Sequence, residues 1–404
     1  MRRHFLKTGQ MRLGALVAAG VLALFATIGT QAAAPATPAE KLTVAKEPAV
    51  AAALDWLAGS QEGDGYWDCK KHGGGAWDVG ITGLALLAFL DAGHTTTAGD
   101  HGPTVRKAIA WLCARQDDKG GFGKHGYEGG IAFLALAKSY YLTRQADLKP
   151  AVEAAVRNAV STQNSAGAWD YAPNSARNDL CVTSWWLRGL IYARAAGVEV
   201  PASALQNALE YVAIATADDG GCSYALMGKT AAELREQKKA KPQGDSIALT
   251  GISLLTQQML GQPRSAAVVA ACAERILRDL PKASSPNLYE WYYCTLGLAM
   301  LGSDNPQWIH YRWSVKTVLE ESQMPLTPPM DAGGSFSDQH DKFWTATGKV
   351  GQTALAAQIL TACYRCPPGD RGPLPGVPRL SDVKLSTAAA RIVLSTEPGE
   401  TGNQ

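Results

Sequence analysis

A short phrase recurs along the chain and constrains its fold more than any other feature. In each copy an apolar helical stretch ends near a glutamine, and a polar turn then leads to a glycine and an aromatic residue. The clearest copies are Gln61…Gly65-Tyr66-Trp67, Gln116…Gly121-Phe122-Gly123 and Gln163…Gly167-Ala168-Trp169, and the weaker ones are Asp219-Gly220-Gly221-Cys222 and Gln323…Gly333-Gly334-Ser335-Phe336. The spacing of about 50 residues is typical of proteins built from one repeated supersecondary unit.

Each copy of the phrase joins two stretches with different apolar patterns. The stretch before it is amphipathic, with apolar residues at helical spacing that give one buried face. The second unit shows this pattern at Val105, Ala108, Ile109 and Leu112. The stretch after it, such as 81–90, is apolar nearly all round, which predicts a helix covered on every side. We therefore predict six helical hairpins, over 49–93, 105–143, 152–197, 205–261, 268–301 and 308–363.

The ends of this array lack the polar faces that an open stack of repeats needs. The first and last inner helices are as apolar as the others. Closure into a ring covers both end units, so the sequence predicts one all-α domain, an α/α toroid over residues 49–366. The charged insertion at 228–244 in the fourth unit predicts an additional solvated helix.

The segments that flank the repeats differ from them in composition. Residues 1–34 combine Arg2-Arg3 with an apolar stretch and resemble a twin-arginine export signal. Residues 35–48 predict an Ala/Pro-rich linker, and residues 367–404 predict a Pro/Gly-rich tail. We therefore expect an exported bacterial or archaeal protein of the periplasm or cell envelope, with membrane contact only through an uncleaved signal.

The overall charge argues against a nucleic-acid partner. The 404 residues carry a net charge of +2, and 18% of them are charged. Nucleic-acid-binding domains instead concentrate basic residues on one face. The apolar content of 46% is enough for a large core, and its Ala- and Leu-rich stretches favour helix.

The repeated phrase around six hairpins resembles the repeat of squalene-hopene cyclases, and it is similar to that of the β subunits of protein prenyltransferases. The resemblance covers residues 45–366. It implies an inner ring of helices around a funnel-shaped cavity, and it implies that the Gln and Trp of the phrase tie each outer helix to the next turn. Class II cyclases protonate their substrates with an Asp-x-Asp-Asp motif, which this sequence lacks.

The prenyltransferase resemblance implies a zinc site at Asp179-Leu180-Cys181. Those enzymes hold zinc with Asp-x-Cys at the start of an inner helix and a later histidine. The histidine is missing from its expected position here, and His125 or His340 is the candidate third ligand. A carboxylate, a thiolate and an imidazole would leave one coordination position of zinc open for a substrate thiol.

The repeat offers a second interpretation of Asp179. An acid lies near the start of five of the six inner helices, and these acids are Asp78, Glu128, Asp179, Asp245 and Glu290. An acid at a helix N-terminus caps free N–H groups and interacts favourably with the helix dipole, which contributes about 0.5–2 kcal/mol. We therefore predict that these five residues cap the inner helices and form the rim of the central cavity.

Three functions follow from these patterns. The first is an exported toroid that binds an apolar, isoprenoid or peptide-like ligand in its central cavity. The second is an enzyme, either zinc-dependent and prenyltransferase-like with Asp179 and Cys181 as catalytic residues, or an isoprenoid cyclase with a diverged acid. The third is a periplasmic or surface scaffold that uses the outer face of the ring and the 228–244 insertion as contact points.

Overall fold

The computed structural model describes residues 44–238, 242, 244–325, 333–337 and 339–365. The predicted export signal and the predicted tail lie outside these residues. Thirteen α-helices occur in the described part. They are α1 (Pro48–Gly59) and α2 (Asp78–Ala92), α3 (Gly102–Ala114) and α4 (Gly126–Thr143), α5 (Lys149–Thr162) and α6 (Leu180–Ala195), α7 (Ala202–Ala215), α8 (Ala231–Lys238) and α9 (Ile247–Met259), α10 (Ala267–Leu277) and α11 (Leu288–Ala299), and α12 (Pro306–Ser322) and α13 (Trp344–Tyr364).

The helices form six hairpins that close into a ring. The inner helices α2, α4, α6, α9, α11 and α13 each pack against the next, and α13 packs against α2. At the closure, Gln358 of α13 donates a hydrogen bond to the carbonyl of Leu84 on α2 (3.4 Å). The predicted α/α toroid and its closure are therefore confirmed.

The glutamine of the repeated phrase links each hairpin to the next. The Nε2 of Gln116 donates to the carbonyl of Gly120 in its own turn (3.1 Å) and to that of Ala151 at the start of α5 (2.9 Å). Three other glutamines make the same two bonds, and they are Gln61, Gln163 and Gln323. The bond from Gln323 reaches Ala49 of α1, so the same link also closes the ring.

The aromatic residue of the phrase fastens the turn to both helices of its own hairpin. The indole N–H of Trp169 donates to the carbonyl of Ala159 in α5 (2.9 Å), and its backbone N–H donates to the hydroxyl of Thr183 in α6 (3.0 Å). Trp67 makes the matching bonds to Leu57 and Thr82. The predicted structural role of the Gln and Trp residues is therefore confirmed.

The glycine two residues before the aromatic position of each copy (Cys222 in the fourth copy) is required because two backbones approach closely. Gly120 has φ +82°, and a Cβ there would lie 2.2 Å from the carbonyl oxygen of Ala154 in α5. Gly65, Gly167, Gly220 and Gly334 share the positive φ. No L side chain fits such a position without movement of the next outer helix.

The insertion forms the additional helix that the sequence predicts. Leu234 of α8 is fully buried, and Arg235 forms an ion pair with Glu210 of α7. A two-stranded antiparallel sheet lies beside it, in which β1 (Arg177–Asp179) pairs with β2 (Ala225–Met227). No helix of the described part is long and apolar enough to cross a membrane.

A pair of glycine substitutions separates the cost of backbone strain from the cost of the close approach. Gly197 has φ +78° and nothing within 4 Å of a built Cβ, whereas Gly120 combines a similar φ with the contact to Ala154. We expect Gly197→Ala to lower the free energy of unfolding by about 1 kcal/mol and Gly120→Ala to lower it by roughly 3 kcal/mol. Urea denaturation followed by circular dichroism measures both, and equal losses would contradict the close-approach explanation.

Candidate functional site

A cavity of about 260 Å³ lies at the N-terminal ends of the inner helices. Aliphatic residues of α2, α4 and α13 form part of its wall, among them Leu84, Ile131 and Leu355. The rest of the wall is mainly aromatic. The aromatic lining residues are Trp77, His125, Tyr127, Tyr171, Trp185, Tyr224, Tyr289 and Phe343.

Three of these aromatic residues directly precede an acid of the predicted rim. Trp77, Tyr127 and Tyr289 come immediately before Asp78, Glu128 and Glu290. The structure places these three aromatic residues against the cavity, whereas only Glu128 of the three acids lines it. This aromatic–acid pair recurs at three of the six inner helices, so it is the sequence signal that could have located the cavity wall.

His125 joins α4 to the aromatic wall. Its Nδ1 accepts the N–H of Tyr127 (3.3 Å) and so caps α4, while its ring centroid lies 4.4 Å from that of Tyr171. Burial lowers the pKa of His125. The imidazole is therefore predominantly neutral at pH 7 and packs as an aromatic ring.

Arg177 holds the tyrosine side of the wall. Its guanidinium lies 4.7 Å from the ring centre of Tyr171 and 5.1 Å from that of Tyr224. It forms ion pairs with Asp170 and with Asp179, the latter at 2.8 Å. Two tyrosine rings are thus fixed by a cation that is itself held by two carboxylates.

Glu128 is the one carboxylic acid among the described residues that line the cavity. It is 7% exposed, and its Oε2 accepts the backbone N–H of Lys124 (3.3 Å). Burial raises the pKa of Glu128, and the nearby charge of Asp78 adds to that increase. The site therefore contains a carboxyl group whose neutral, proton-donating form is favoured relative to a solvated glutamate.

The other rim acids have structural partners. Asp179 caps α6, because its Oδ1 accepts the N–H of Val182 (2.9 Å). Capping is the wrong interpretation for Asp78 and Asp245, whose Oδ1 atoms accept the N–H of Cys69 and of Cys222 in the preceding turns (both 3.0 Å). Asp78 lies inside the first turn of α2, and Asp245 precedes Ser246, which is the N-cap of α9. Both acids therefore tie the preceding turn to the inner helix.

Among the described residues, the structure does not group the residues predicted to bind zinc with a third ligand. The carboxylate of Asp179 is engaged by Arg177 and by Val182, and burial, with a contribution from Asp179, raises the pKa of the Cys181 thiol to about 12. His125 packs in the aromatic wall and His340 is exposed. Within the described ranges, no three His, Cys, Asp or Glu side chains are grouped as metal ligands would be.

Metal analysis tests the zinc prediction directly. Because the Asp179 carboxylate is engaged by Arg177 and Val182 and no third ligand is grouped with Asp179 and Cys181 among the described residues, we expect purified protein to contain far less than one zinc per chain. Inductively coupled plasma mass spectrometry measures this, with Cys181→Ala as the comparison. One zinc per chain in the wild type that is lost in Cys181→Ala would contradict the expectation and support the prenyltransferase-like alternative.

The architecture can be compared with solved structures. No protein-family model matches the sequence, and no curated protein sequence matches it. Three solved structures match with low sequence identity. An α-1,6-mannanase from Salegentibacter has a TM-score of 0.59 at 10% identity, and the match covers 78% of this chain and 98% of the mannanase. A family 76 mannosidase from Bacteroides thetaiotaomicron has a TM-score of 0.57 at 13% identity, with 78% of this chain and 97% of the mannosidase covered. A variant of a type II terpene cyclase from Scytonema, bound to geranylgeranyl dihydroxybenzoate, has a TM-score of 0.54 at 13% identity, with 80% of this chain and 98% of the cyclase covered.

The chain is an α/α toroid. The toroid proteins it resembles in shape include both glycosidases and a cyclase. Shared fold at this level of identity leaves the chemistry to the side chains of the individual site.

Glu290 provides a pH-dependent test of the rim. Burial raises its pKa to about 6, and Asp279 contributes. A raised pKa in the folded state means that stability is lost as pH rises from 4.5 to about 6. We therefore expect Glu290→Gln to increase the free energy of unfolding at pH 7 by on the order of 1–2 kcal/mol, with little change at pH 4.5.

Denaturation with urea at several pH values measures this effect. Glu274 is exposed on the outer helix α10, so Glu274→Gln is the matched control and is expected to change little at either pH. An equal gain for Glu290→Gln at pH 4.5 and pH 7 would show that ionisation is not its cause.

Proposed function

We propose that this protein binds an apolar ligand of isoprenoid-like character in its central cavity. The observation that carries the proposal is the aromatic and aliphatic wall, which contains one carboxylic acid among its described residues. Apolar surface enters such a site because it is removed from water. We also propose that the protein acts outside the cytoplasm, on the basis of the twin-arginine pattern in residues 1–34.

The volume of the cavity limits the size of the enclosed ligand. An apolar cavity of about 150 Å³ accommodates benzene, whereas this one measures about 260 Å³. It would enclose a group of about ten carbon atoms, comparable to two isoprene units. A longer chain would extend through the cavity mouth between Trp77 and Tyr171, which are both 38% exposed.

Acid chemistry on the bound ligand is the second candidate function. Glu128 is supported in this role because its raised pKa favours the form that donates a proton. Aromatic faces also stabilise cations, as a carbocation formed by protonating an alkene would require. The similarity to a type II terpene cyclase is consistent with this chemistry.

Glycoside hydrolysis, suggested by the similarity to the mannanase, has less support from the side chains. Glycosidases use two carboxyl groups about 5–9.5 Å apart across the sugar, and the described lining of this cavity contains only Glu128. The adjacent acids Asp117 and Asp118 lie in the turn between α3 and α4. There Asp117 accepts the N–H groups of Lys119 and Gly121.

Ligand binding is tested with the full chain and with one variant that fills the cavity. We expect geraniol, a ten-carbon isoprenoid alcohol, to bind the wild type in calorimetry. We expect Leu84→Trp to weaken that binding at least about tenfold, because the new indole occupies the space of the ligand. Ile309→Trp places the same side chain on an exposed position of α12, and it should bind as the wild type does.

Two results would refute the proposal. One is that the wild type binds neither geraniol nor farnesol, and the other is that geraniol binds equally well to the wild type and to folded Leu84→Trp. Glu128→Gln separates the two candidate functions. A binding protein retains its ligand affinity in this variant and returns the ligand unchanged. An enzyme converts an isoprenoid alkene to a cyclic isomer in the wild type and loses that conversion in Glu128→Gln.

A further inference from the structure

A group of charged side chains lies deeper along the axis of the toroid, beneath the aromatic cavity. It consists of Asp91 on α2, Lys138 on α4 and Arg188 on α6, and we call it the axial charge cluster. Lys138 is 7% exposed and Arg188 is 4% exposed. Burial of charge at this depth is costly unless each charge is paired and hydrogen-bonded.

The helical spacing places these charges on the cavity-facing side of each inner helix. Residues three, four or seven positions apart lie on one face. Each member of the cluster follows a cavity-lining residue at such a spacing, and the pairs are Leu84 with Asp91, Ile131 with Lys138 and Trp185 with Arg188. Seven residues advance a helix by about 10 Å and three residues by about 4.5 Å, so all three charges lie further along the inner helices than the lining residues they follow.

Two of the three charges neutralise each other. Lys138 forms an ion pair with Asp91. Burial disfavours the charged form of Lys138, but the attraction of Asp91 outweighs it and raises the pKa of the ammonium group. For Asp91, burial is likewise outweighed by Lys138 and Arg365, and its pKa is lowered. Lys138 and Asp91 are thus both ionised. Arg188 also contributes to the low pKa of Asp91, but the single negative charge of Asp91 is shared among Lys138, Arg365 and Arg188, so the cluster keeps a net positive charge.

Arg188 lacks hydrogen-bond partners on two of its nitrogens. Its Nη2 donates to the hydroxyl of Tyr292 (2.9 Å). The Nε and Nη1 atoms are buried and have no partner among the described residues. The rings of Trp185, Tyr292 and Tyr293 lie 5.2, 5.5 and 5.9 Å from its Cζ, but their π faces replace neither a counter-charge nor the in-plane acceptors of the guanidinium.

Trp185 contributes another unsatisfied donor beside Arg188. Its ring lines the cavity, and its buried Nε1 has no partner among the described residues. Trp185 and Arg188 are three residues apart on one face of α6. Three buried donors on two neighbouring side chains of α6 therefore lack acceptors, and one of these side chains, Trp185, lines the cavity.

We propose that Arg188 and the Trp185 indole N–H form a binding site for an oxyanion, so that the ligand of this protein is an amphipathic acid. The apolar body of the ligand would occupy the aromatic cavity, and its carboxylate or phosphate group would bind Arg188. This inference rests on the proposed function for the apolar body. The oxyanion has two sources, the ligand's own head group or a free inorganic anion, and binding measurements distinguish them.

Matched ligands test the proposal in calorimetry at pH 8 and constant ionic strength. Decanoate and decanol share a ten-carbon chain and differ in their head group. Hydrogen bonds to a buried charge are strong, so we expect decanoate to bind the wild type at least about tenfold more tightly than decanol. Arg188→Met should abolish this preference while it leaves decanol binding within about twofold.

Arg115 provides the matched control. Its guanidinium also lies over a tryptophan ring, 4.7 Å from the centre of Trp111, but Arg115 is exposed at the C-terminal end of the outer helix α3. Arg115→Met should keep the preference for decanoate. Arg188→Lys and Trp185→Phe are the milder variants, and each should reduce the preference because each removes donors from the site. If Arg188→Met does not fold, the preference for decanoate is compared between the wild type and these two variants instead.

The outcomes separate the two proposals. Equal binding of decanoate and decanol by the wild type would overturn the oxyanion site and leave the apolar cavity standing. If neither binds, the proposed function fails, and inorganic phosphate alone becomes the probe. A saturable increase in melting temperature with phosphate that is absent in Arg188→Met or Arg188→Lys would then support a site for a free anion, and an equal increase in all of them would overturn it.

Discussion

Four of the six junctions between hairpins, as far as the structure describes them, are made by one side chain that bridges two backbone carbonyls. A glutamine amide donates one N–H to the glycine carbonyl of its own turn and the other to the first turn of the next outer helix. The first turn of a helix is thereby attached to a neighbour by a bond that needs no particular side chain on the receiving residue. The receiving residues Thr104, Ala151, Ala204 and Ala49 accordingly differ from one another.

These glutamine bridges form a belt of bonds to backbone carbonyls around the outside of the ring. Because the belt does not involve the cavity-facing side chains, the inner helices are free to differ in chemistry. The fourth repeat illustrates the limit, because Thr216 replaces the glutamine and its hydroxyl instead contacts Val212 and Ser253. The ring still closes, since the inner helices pack on their neighbours all the way round. Stability thus comes from the belt and from the apolar helix contacts, while the axis holds aromatic rings, one acid and a charge cluster.

The sequence predicts the fold well and the site only in part, for a physical reason. The Gln, Gly and aromatic positions recur because each turn must bond to the next outer helix and approach its backbone closely. Their period therefore reveals the hairpins. Part of the cavity wall recurs at only three inner helices, as the aromatic residues before Asp78, Glu128 and Glu290 do, and other lining residues, such as Trp185 and Phe343, occur once, so no period identifies them. Asp179 illustrates the difficulty, because capping a helix and binding a metal call for the same residue type at the same position, and only the contacts with Arg177 and Val182 distinguish them.

Closure of the ring also sets an order of events during synthesis. The contact between Gln358 and the carbonyl of Leu84 joins residues 274 positions apart, and contacts between such distant residues form slowly because a long loop must first be closed. Until α13 has been synthesised, α2 has an uncovered apolar flank. A ribosome would therefore release nearly the entire chain before the first hairpin acquires its last neighbour, and until then the exposed flank is a surface prone to aggregation.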